Sequence, residues 1–267
     1  MRFYEFEAKR LLAKQGVRLP QGGTAETPAE AARIAGEAGG QVVLKSQVLS
    51  GGRMKAGGVK FADTPAEAER AAADILRLEI RGQLPRCVLV EAGASVAREY
   101  YAAVTYDPIA KLPVMIFSDM GGIDIEEVAE EHPAHVAKAN FSALLPFSDF
   151  HAKELVRSLG IGGGELTALT GVLSRLVQLF LRYDLTLAEI NPLARLDDGS
   201  YVALDCHLDM EEEARDRQKA VLTELGIGED ETRQGRPPTE FEKRGARVDA
   251  VDARGVAGRV VEFDGNL

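Results

Sequence analysis

Apolar positions along the chain recur with two different periods, and the switches between them outline the elements. Phe3, Phe6, Leu11 and Leu12 share one helical face and Gly16 stops the pattern, so residues 3–15 are predicted as a helix. Thr27-Pro28-Ala29-Glu30 opens a second helix, with Thr27 at the N-cap, Pro28 at the first helical position and Glu30 placed for a capping box; Gly39-Gly40 ends it. The same start recurs at Thr64-Pro65-Ala66-Glu67 and opens a helix to about Arg77. No fixed period surrounds the recurrence, so it is shared capping chemistry and not an internal repeat. Short apolar runs predict strands at Val42–Leu44, Cys87–Val90, Tyr101–Tyr106 and Val114–Phe117, with Asp107-Pro108 turning between the last two. Leu166, Leu169, Val172, Leu173, Leu176 and Phe180 form a helical stripe up to Tyr183. Leu185–Ile190 and Tyr201–Leu204 then read as an antiparallel pair joined through Asp197-Asp198-Gly199. Helices and strands alternate, but hairpins are mixed in. The pattern predicts an α+β (mixed α/β) fold and not a purely doubly wound sheet.

Periodicity fails between residues 211 and 247. Glu211-Glu212-Glu213 begins a charged stretch and Arg236-Pro237-Pro238 sits in polar sequence, so the region reads as a linker or surface excursion with one short helix, roughly Ala214–Leu225. Val260-Val261-Glu262-Phe263 reads as a final strand, followed by a turn at Asp264-Gly265-Asn266.

Composition narrows the class. With 267 residues, 45% hydrophobic and 28% charged, the chain is ordinary globular sequence, which excludes wholesale disorder and collagen-like architecture. No apolar run is long enough for a transmembrane helix, and the N-terminus lacks a signal-peptide core. Cys87 and Cys206 stand apart and form neither a CxxC pair nor a disulfide framework, so a cytoplasmic location is the expectation. A net charge of −10 argues against nucleic acid or a membrane surface as a partner, while leaving room for a local basic site for a small phosphate ligand. His132, His135, His151 and His207 show no metal-ligand spacing.

Four stretches carry candidate chemistry. In the first, Lys45 ends a buried strand, and Gly51-Gly52-Arg53-Met54-Lys55-Ala56-Gly57-Gly58 follows. Glycines let backbone N–H groups approach phosphate oxygens while Lys and Arg supply charge; the alternative is a basic surface hairpin. It is not a Walker A loop, and no G-x-G-x-x-G follows a strand. In the second, Glu189-Ile190-Asn191-Pro192 and Asp205 end the two strands of the expected pair. Asn and Asp oxygens together suit Mg²⁺ bound with substrate phosphates, although Asn before Pro is also an ordinary turn former. In the third, Glu91 closes an apolar strand and Glu99 opens the next. Each is either a contact for a base or ribose or a solvated charge. In the fourth, Gly121-Gly122 precedes an acidic helix start, which either complements the helix dipole or receives a phosphate on free N–H groups. No covalent-hydrolase signature is present.

Taken in order, these stretches resemble the ATP-grasp half of the succinyl-CoA synthetase β-subunit family. The resemblance runs from Tyr4-Glu5-Phe6-Glu7-Ala8-Lys9 through Lys45 and Gly-Gly-Arg-x-Lys-Ala-Gly-Gly-Val-Lys, Val90-Glu91-Ala92, Gly-Gly-Ile-Asp-Ile-Glu-Glu-Val-Ala-Glu-Glu, Glu-Ile-Asn-Pro-Leu and Ala203-Leu204-Asp205, to Asp264-Gly265-Asn266. NDP-forming acyl-CoA synthetases, malate–CoA ligases and ATP-citrate lyases share this half. The resemblance implies an ATP-grasp fold of two subdomains with nucleotide in the cleft. Residues 1–20 and 96–240 would form the core subdomain, 21–95 the N-terminal lid-side subdomain, and 241–267 a linker towards the family's C-terminal flavodoxin-like CoA-ligase domain, expected to be absent here.

It also implies roles by position. Lys45 and Gly52-Arg53-Met54 would hold the phosphates of ATP; Glu91, Ala94 and Glu99 would contact adenine and ribose. Asn191 and Asp205 would ligate Mg²⁺. Glu189 would hold a phosphohistidine offered by an α-type CoA-binding subunit, and Asn266 would touch the carboxylate substrate. A separate CoA-ligase domain joins the partners if the gene is split, and the complex would handle a small carboxylate and CoA. Pro20 stands where GTP-specific members carry Gln, which leans to ATP. Three departures stand out: Met54 replaces the usual last glycine of the loop, Cys206-His207 follows Asp205, and Ser118-Asp119-Met120 precedes Gly121-Gly122. The expected activity is that of an ADP-forming acid–thiol ligase working with its partner. A non-catalytic nucleotide-binding assembly subunit is the alternative of another class. A stand-alone carboxylate–amine ligase would need an acyl-acceptor site for which the sequence offers no residues.

Overall fold

The strands separate into two sheets. The structure, a computed structural model, describes residues 1–228, 231, 233, 236, 238–251, 260 and 262. The smaller sheet has four antiparallel strands in the order β1-β4-β2-β3, formed by β1 (Gly22–Ala25), β2 (Val42–Ser46), β3 (Val59–Ala62) and β4 (Val88–Ala92). Helices α2 (Pro28–Ala38) and α3 (Pro65–Ile75) cover it. Both begin as their sequences predict. Thr27 Oγ1 accepts from the Glu30 N–H while Glu30 accepts from the Thr27 N–H, a reciprocal capping box. At α3, Thr64 accepts from the Glu67 N–H, but the Glu67 carboxylate reaches back one residue further, to the Asp63 N–H.

The larger sheet runs β10-β8-β5-β6-β7, with β9 paired to β8. Its strands are β5 (Val96–Asp107), β6 (Leu112–Ser118), β7 (Val136–Asn140), β8 (Leu185–Leu196), β9 (Tyr201–Ala203) and β10 (Cys206–Met210). Helices α5 (Asp149–Ser158) and α6 (Gly163–Arg182) pack on one face. The α6 stripe buries Leu169, Val172, Leu173, Leu176, Val177 and Phe180 against Tyr100, Ala102, Val104, Ala188 and Ile190. Each such side chain contributes about 1.5–3 kcal/mol on burial. Helix α1 (Glu5–Lys14) packs against both β10 and α6.

Period two then decides what the other faces carry. In the small sheet Val42, Leu44, Val88 and Val90 face the helices, so Lys45 and Glu91 face away. In the large sheet Tyr100, Ala102, Ala188 and Ile190 face the helices, which turns Tyr101, Glu189 and His207 to the opposite side.

Three expectations change. Tyr201–Ala203 pairs with Leu193–Arg195, beyond Asn191-Pro192, while the partner of Leu185–Ile190 is Cys206–Met210. Strand β8 thus runs on through Asn191, and the Asp197-Asp198-Gly199 turn closes only its far end. Secondly, the charged region after residue 210 is not a free surface excursion. Helix α7 (Lys219–Glu224) sends Val221 and Leu222 into the large core, as do Leu225 and Ile227. Arg233 is 2% exposed, pairs with Glu7 at 2.5 and 3.0 Å, and lies over the Tyr4 ring at 5.0 Å. Thirdly, residues 240–251, expected as linker, form helix α8 (Glu240–Val251). The strand expected at Val260–Phe263 falls only partly on described residues: Val260 and Glu262 carry no regular structure. Asp264-Gly265-Asn266, and with it the carboxylate contact expected of Asn266, lies outside the described residues.

Candidate functional site

The inner faces of the two sheets meet at α1, and the contact is made of ions. Lys45 Nζ lies 2.8 Å from Glu5 and 3.0 Å from Glu91, and donates to the Leu204 carbonyl at 2.5 Å. Lys9 Nζ reaches both Glu91 oxygens at 2.6 Å, Glu5 at 3.0 Å and the same Leu204 carbonyl at 2.7 Å. Arg53, from the loop between β2 and β3, spans Glu5 at 2.6 Å and Asp205 at 3.0 and 3.1 Å. Three cations therefore face three carboxylates across the junction.

Burial alone would neutralise such groups, and the pairing decides the outcome. Burial pushes the Glu5 carboxyl up, but Lys45, Lys9 and Arg53 overcome it and hold Glu5 well below the usual carboxylate range. Burial likewise pulls Lys45 down, and Glu5, Asp205 and Glu91 more than offset it, so Lys45 stays charged with a raised pKa. Arg53 is raised in the same way by Glu5 and Asp205. Asp205 ends with its pKa raised, first by burial and then by the neighbouring Glu5 carboxylate, against the pull of Arg53 and Lys45. Its side chain is 38% exposed.

The glycine-rich loop carries the other phosphate candidates. Gly52 is exposed, and Met54 is 74% exposed. Lys55 is close enough to Asp124 to help lower that carboxyl, whose main stabilisation comes from hydrogen bonds with Glu126. Asp124 caps helix α4 (Ile125–Glu131), so the loop approaches the Gly121–Asp124 turn of the large sheet across the cleft. Gly121 is required there: a Cβ would lie 2.5 Å from the Tyr100 backbone. The Asn191 amide ties this turn down, accepting from the Gly122 N–H at 2.8 Å and donating to the Ile123 carbonyl at 3.0 Å. The Asn191 N–H donates to the Asp205 carbonyl at 3.1 Å, which makes the two expected oxygen donors neighbours.

Glu189 sits nearby in different surroundings. Burial raises its pKa; the Tyr101 hydroxyl, donating at 2.9 Å, and His207 pull the other way, while Asp205 and Asp124 add to the rise. Among the described residues it has no ion-pair partner. Of the base and ribose candidates, Glu91 is 3% exposed and turned into the ionic junction, so it is not a solvated charge. Ala94 is half-buried in the link from β4 to β5, and Glu99, raised by burial, lies against Gly122.

The metal candidates fit a hard cation in kind. Asp205 and Asn191 supply only oxygen, and two protein ligands completed by phosphates is the pattern Mg²⁺ favours. Among the described residues no group of three or more His, Cys, Asp or Glu forms a metal cage. No helix of the described residues is long and apolar enough to cross a membrane.

Sequence reasoning missed Glu5, Lys9 and Tyr101. Glu5 and Lys9 stand four apart on a helix, a spacing that ordinarily marks an exposed ion pair. Tyr101 was visible only as a strand residue.

Comparison with known proteins places the chain in a family. The sequence matches the family described as an ATP-grasp domain over residues 2–195. The β subunit of an ADP-forming succinate–CoA ligase from Methanothermobacter thermautotrophicus is 40% identical over 222 residues, covering 83% of this chain and 60% of that protein. A corresponding β subunit from Archaeoglobus fulgidus is 37% identical over 265 residues, covering 99% of this chain and 68% of its own length. The chain thus spans about 60% of the first of these relatives. Among solved structures, a dinucleotide-forming acetyl-coenzyme A synthetase from Ca. Korarchaeum cryptofilum, in complex with coenzyme A and Ca-AMPCP, aligns with a TM-score of 0.65 at 20% identity, covering 79% of this chain and 93% of that one. At that identity the likeness speaks for the fold alone.

Proposed function

This chain belongs to the ATP-grasp family that includes the succinate–CoA ligase β subunits, and on that premise we propose that it is the nucleotide-using subunit of an ADP-forming acyl-CoA synthetase, passing the γ-phosphoryl of ATP to a histidine of a partner subunit. One observation carries the reading: Lys45, Arg53 and the glycine loop line one side of a cleft whose other side holds Asn191, Asp205 and an ion-unpaired Glu189. A cationic, glycine-rich loop suits a polyphosphate, and a half-buried carboxylate without an ion-pair partner suits an incoming imidazole.

In the proposed step a ring nitrogen of the partner's histidine attacks the γ-phosphorus as the bond to the β,γ-bridging oxygen breaks, and ADP leaves with that electron pair. Lys45 and the loop N–H groups at Gly52 to Met54 neutralise the charge that builds on the phosphate oxygens. Glu189 accepts the N–H of the other ring nitrogen and holds the imidazole in line. Asn191 and Asp205 would hold Mg²⁺, which when bound supplies charge neutralisation at the phosphates. Arg53 must then leave Asp205, and the phosphates offer its guanidinium a replacement anion. Pro20 supports ATP over GTP. Succinate is the carboxylate the curated relatives favour, with citrate or malate as alternatives; CoA would be bound by an α-type partner. A cytoplasmic location suits such chemistry.

Incubating the chain with γ-labelled ATP and its α-type subunit tests this. Acid-labile, alkali-stable label on a partner histidine is expected, and no label on the partner would sink the proposal. A second reading, a nucleotide-binding assembly subunit without chemistry, draws on the Arg53–Asp205 pair, which holds the very carboxylate a metal would need. Calorimetric binding of ADP·Mg²⁺ together with an unlabelled partner would select that reading. In either case Lys45→Ala should remove the ADP heat.

A further inference from the structure

Residues 80–83 make a tight turn beside the glycine loop. The Ile80 and Gln83 backbones exchange hydrogen bonds at 2.9 and 3.0 Å, and the two central residues both have positive φ, 49° at Arg81 and 76° at Gly82. Two positive φ values are the mark of a type I′ turn, and its first position ordinarily belongs to Asn, Asp or Gly. An arginine there is strained. The turn is fastened to the loop at both ends. Gln83 Oε1 accepts from the Leu49 N–H at 3.1 Å, and the buried Ile80 side chain packs so closely on Gly58 that a Cβ there would lie 2.7 Å from it. Between these anchors the Arg81 guanidinium lies over Gly52, with Nη2 only 3.4 Å from where a Gly52 Cβ would stand.

The charge state of Arg81 separates it from its neighbours. Lys45 and Arg53 are matched by Glu5, Glu91 and Asp205. Arg81 is exposed and has no hydrogen-bond or ion-pair partner among the described residues. A side chain held in a costly backbone conformation against the exposed Gly52 of the loop, with no ion partner among the described residues, is placed for an anion.

We propose that Arg81 is a phosphate-binding residue, whose guanidinium donates to the polyphosphate of a nucleotide seated on Gly52-Arg53-Met54. This rests on the nucleotide reading of the loop and adds a contact from outside it. A bound phosphate oxygen would meet backbone N–H groups on one side and the Arg81 fork on the other. Because Arg81 has no carboxylate to leave, its contribution would be available without rearranging the ionic junction.

Calorimetry of ADP·Mg²⁺ binding to the full chain tests it. Arg81→Gln should weaken ADP about tenfold, the scale of one charge-assisted hydrogen bond, and Arg81→Lys should recover part of the loss. Arg81→Gly relieves the left-handed strain, so its Tm should rise while ADP affinity falls, an opposition that a merely structural role would not produce. If wild type binds ADP·Mg²⁺ and Arg81→Gln binds it within twofold as well, the proposal is overturned and the nucleotide reading stands. A lowered Tm in Arg81→Gly would also count against it. No ADP heat with wild type would instead overturn the nucleotide reading, and Arg81 with it.

Discussion

Six ionised side chains pair where α1 joins the two sheets, whereas Glu189, half-buried on the inner face of the large sheet, has no ion-pair partner among the described residues. At the junction every charge has been matched within the chain, so the desolvation of each group is offset by its neighbours. Such a cluster holds the small sheet to the large one, and any ligand that takes Lys45 or Arg53 must replace what it displaces. Around Glu189 the neighbours are Tyr101, His207 and the carboxylates of Asp124, Glu126 and Asp205. The carboxylate is kept in place by one phenol and left short of positive charge. The first region is complete without a ligand, and the second is not.

The sharpest way to break this comparison is to unbalance the junction. Glu5→Gln would leave Lys9, Lys45 and Arg53 facing only Glu91 and Asp205. It should cost about 3–5 kcal/mol of unfolding free energy, the usual loss when one partner of a buried pair is removed. Urea denaturation would measure it, and a loss below about 1 kcal/mol would mean the junction is hydrated like a surface pair. The same variant carries a pH signature. Glu5 titrates well below its unfolded value, so its contribution is full above the unfolded carboxylate pKa and is lost as pH falls through the folded one. Asp205, with a raised pKa, has the opposite sign, but it is present in both proteins. Stability of wild type should therefore fall on acidification more steeply than that of Glu5→Gln.

The unpaired region predicts the reverse pattern, chemistry lost with fold retained. Glu189→Gln removes a half-buried negative charge with no ion-pair partner among the described residues, so stability should hold or rise slightly. Phosphoryl transfer to the partner's histidine should drop about 100-fold, with ADP·Mg²⁺ affinity unchanged, since the imidazole and not the nucleotide loses its acceptor. Equal loss in ADP binding would show that Glu189 serves the nucleotide. Tyr101→Phe, which removes the one donor to Glu189 among the described residues, should give a smaller loss of about tenfold. Placed on top of Glu189→Gln it should add nothing, and additive losses would separate the two residues.

How much of this was legible in the sequence follows from what each period can encode. Thr27-Pro28-Ala29-Glu30 specified a local bond pattern, and the capping box formed as expected. The α6 stripe was equally plain, because a single apolar face has one place to go. Lys45 and the glycine loop were singled out by composition. Their closed state was not, because Arg53 meets Asp205 across 152 positions and no local signal spans that distance. Glu5 and Lys9 hid for a related reason: charged residues on a helix read as solvent-facing, and only a second pair of charges brought from the small sheet makes their burial tolerable. The misread pairing of Tyr201–Ala203 came from stopping β8 at the Asn191-Pro192 turn signal, when the strand continues to Leu196. The region after residue 210 misled because its anchoring residue, Arg233, is charged and finds Glu7 only in the tertiary structure.

Met54 offers the smallest expected effect and a direct choice between an active subunit and an assembly subunit. A side chain at the usual glycine position would mark lost activity if it filled the space the phosphates need. In the structure Met54 is 74% exposed and packs into no part of the loop's surroundings that would bury it. Met54→Gly should therefore change ADP·Mg²⁺ affinity by less than about twofold and stability by no more than about 0.5–1 kcal/mol, the cost of a more flexible loop residue. A tenfold tightening on the same substitution would mean that the thioether swings inward when nucleotide arrives. The loop would then be hindered in the bound state, the assembly reading would gain, and the contrast between a completed junction and a waiting Glu189 would no longer describe a working cleft.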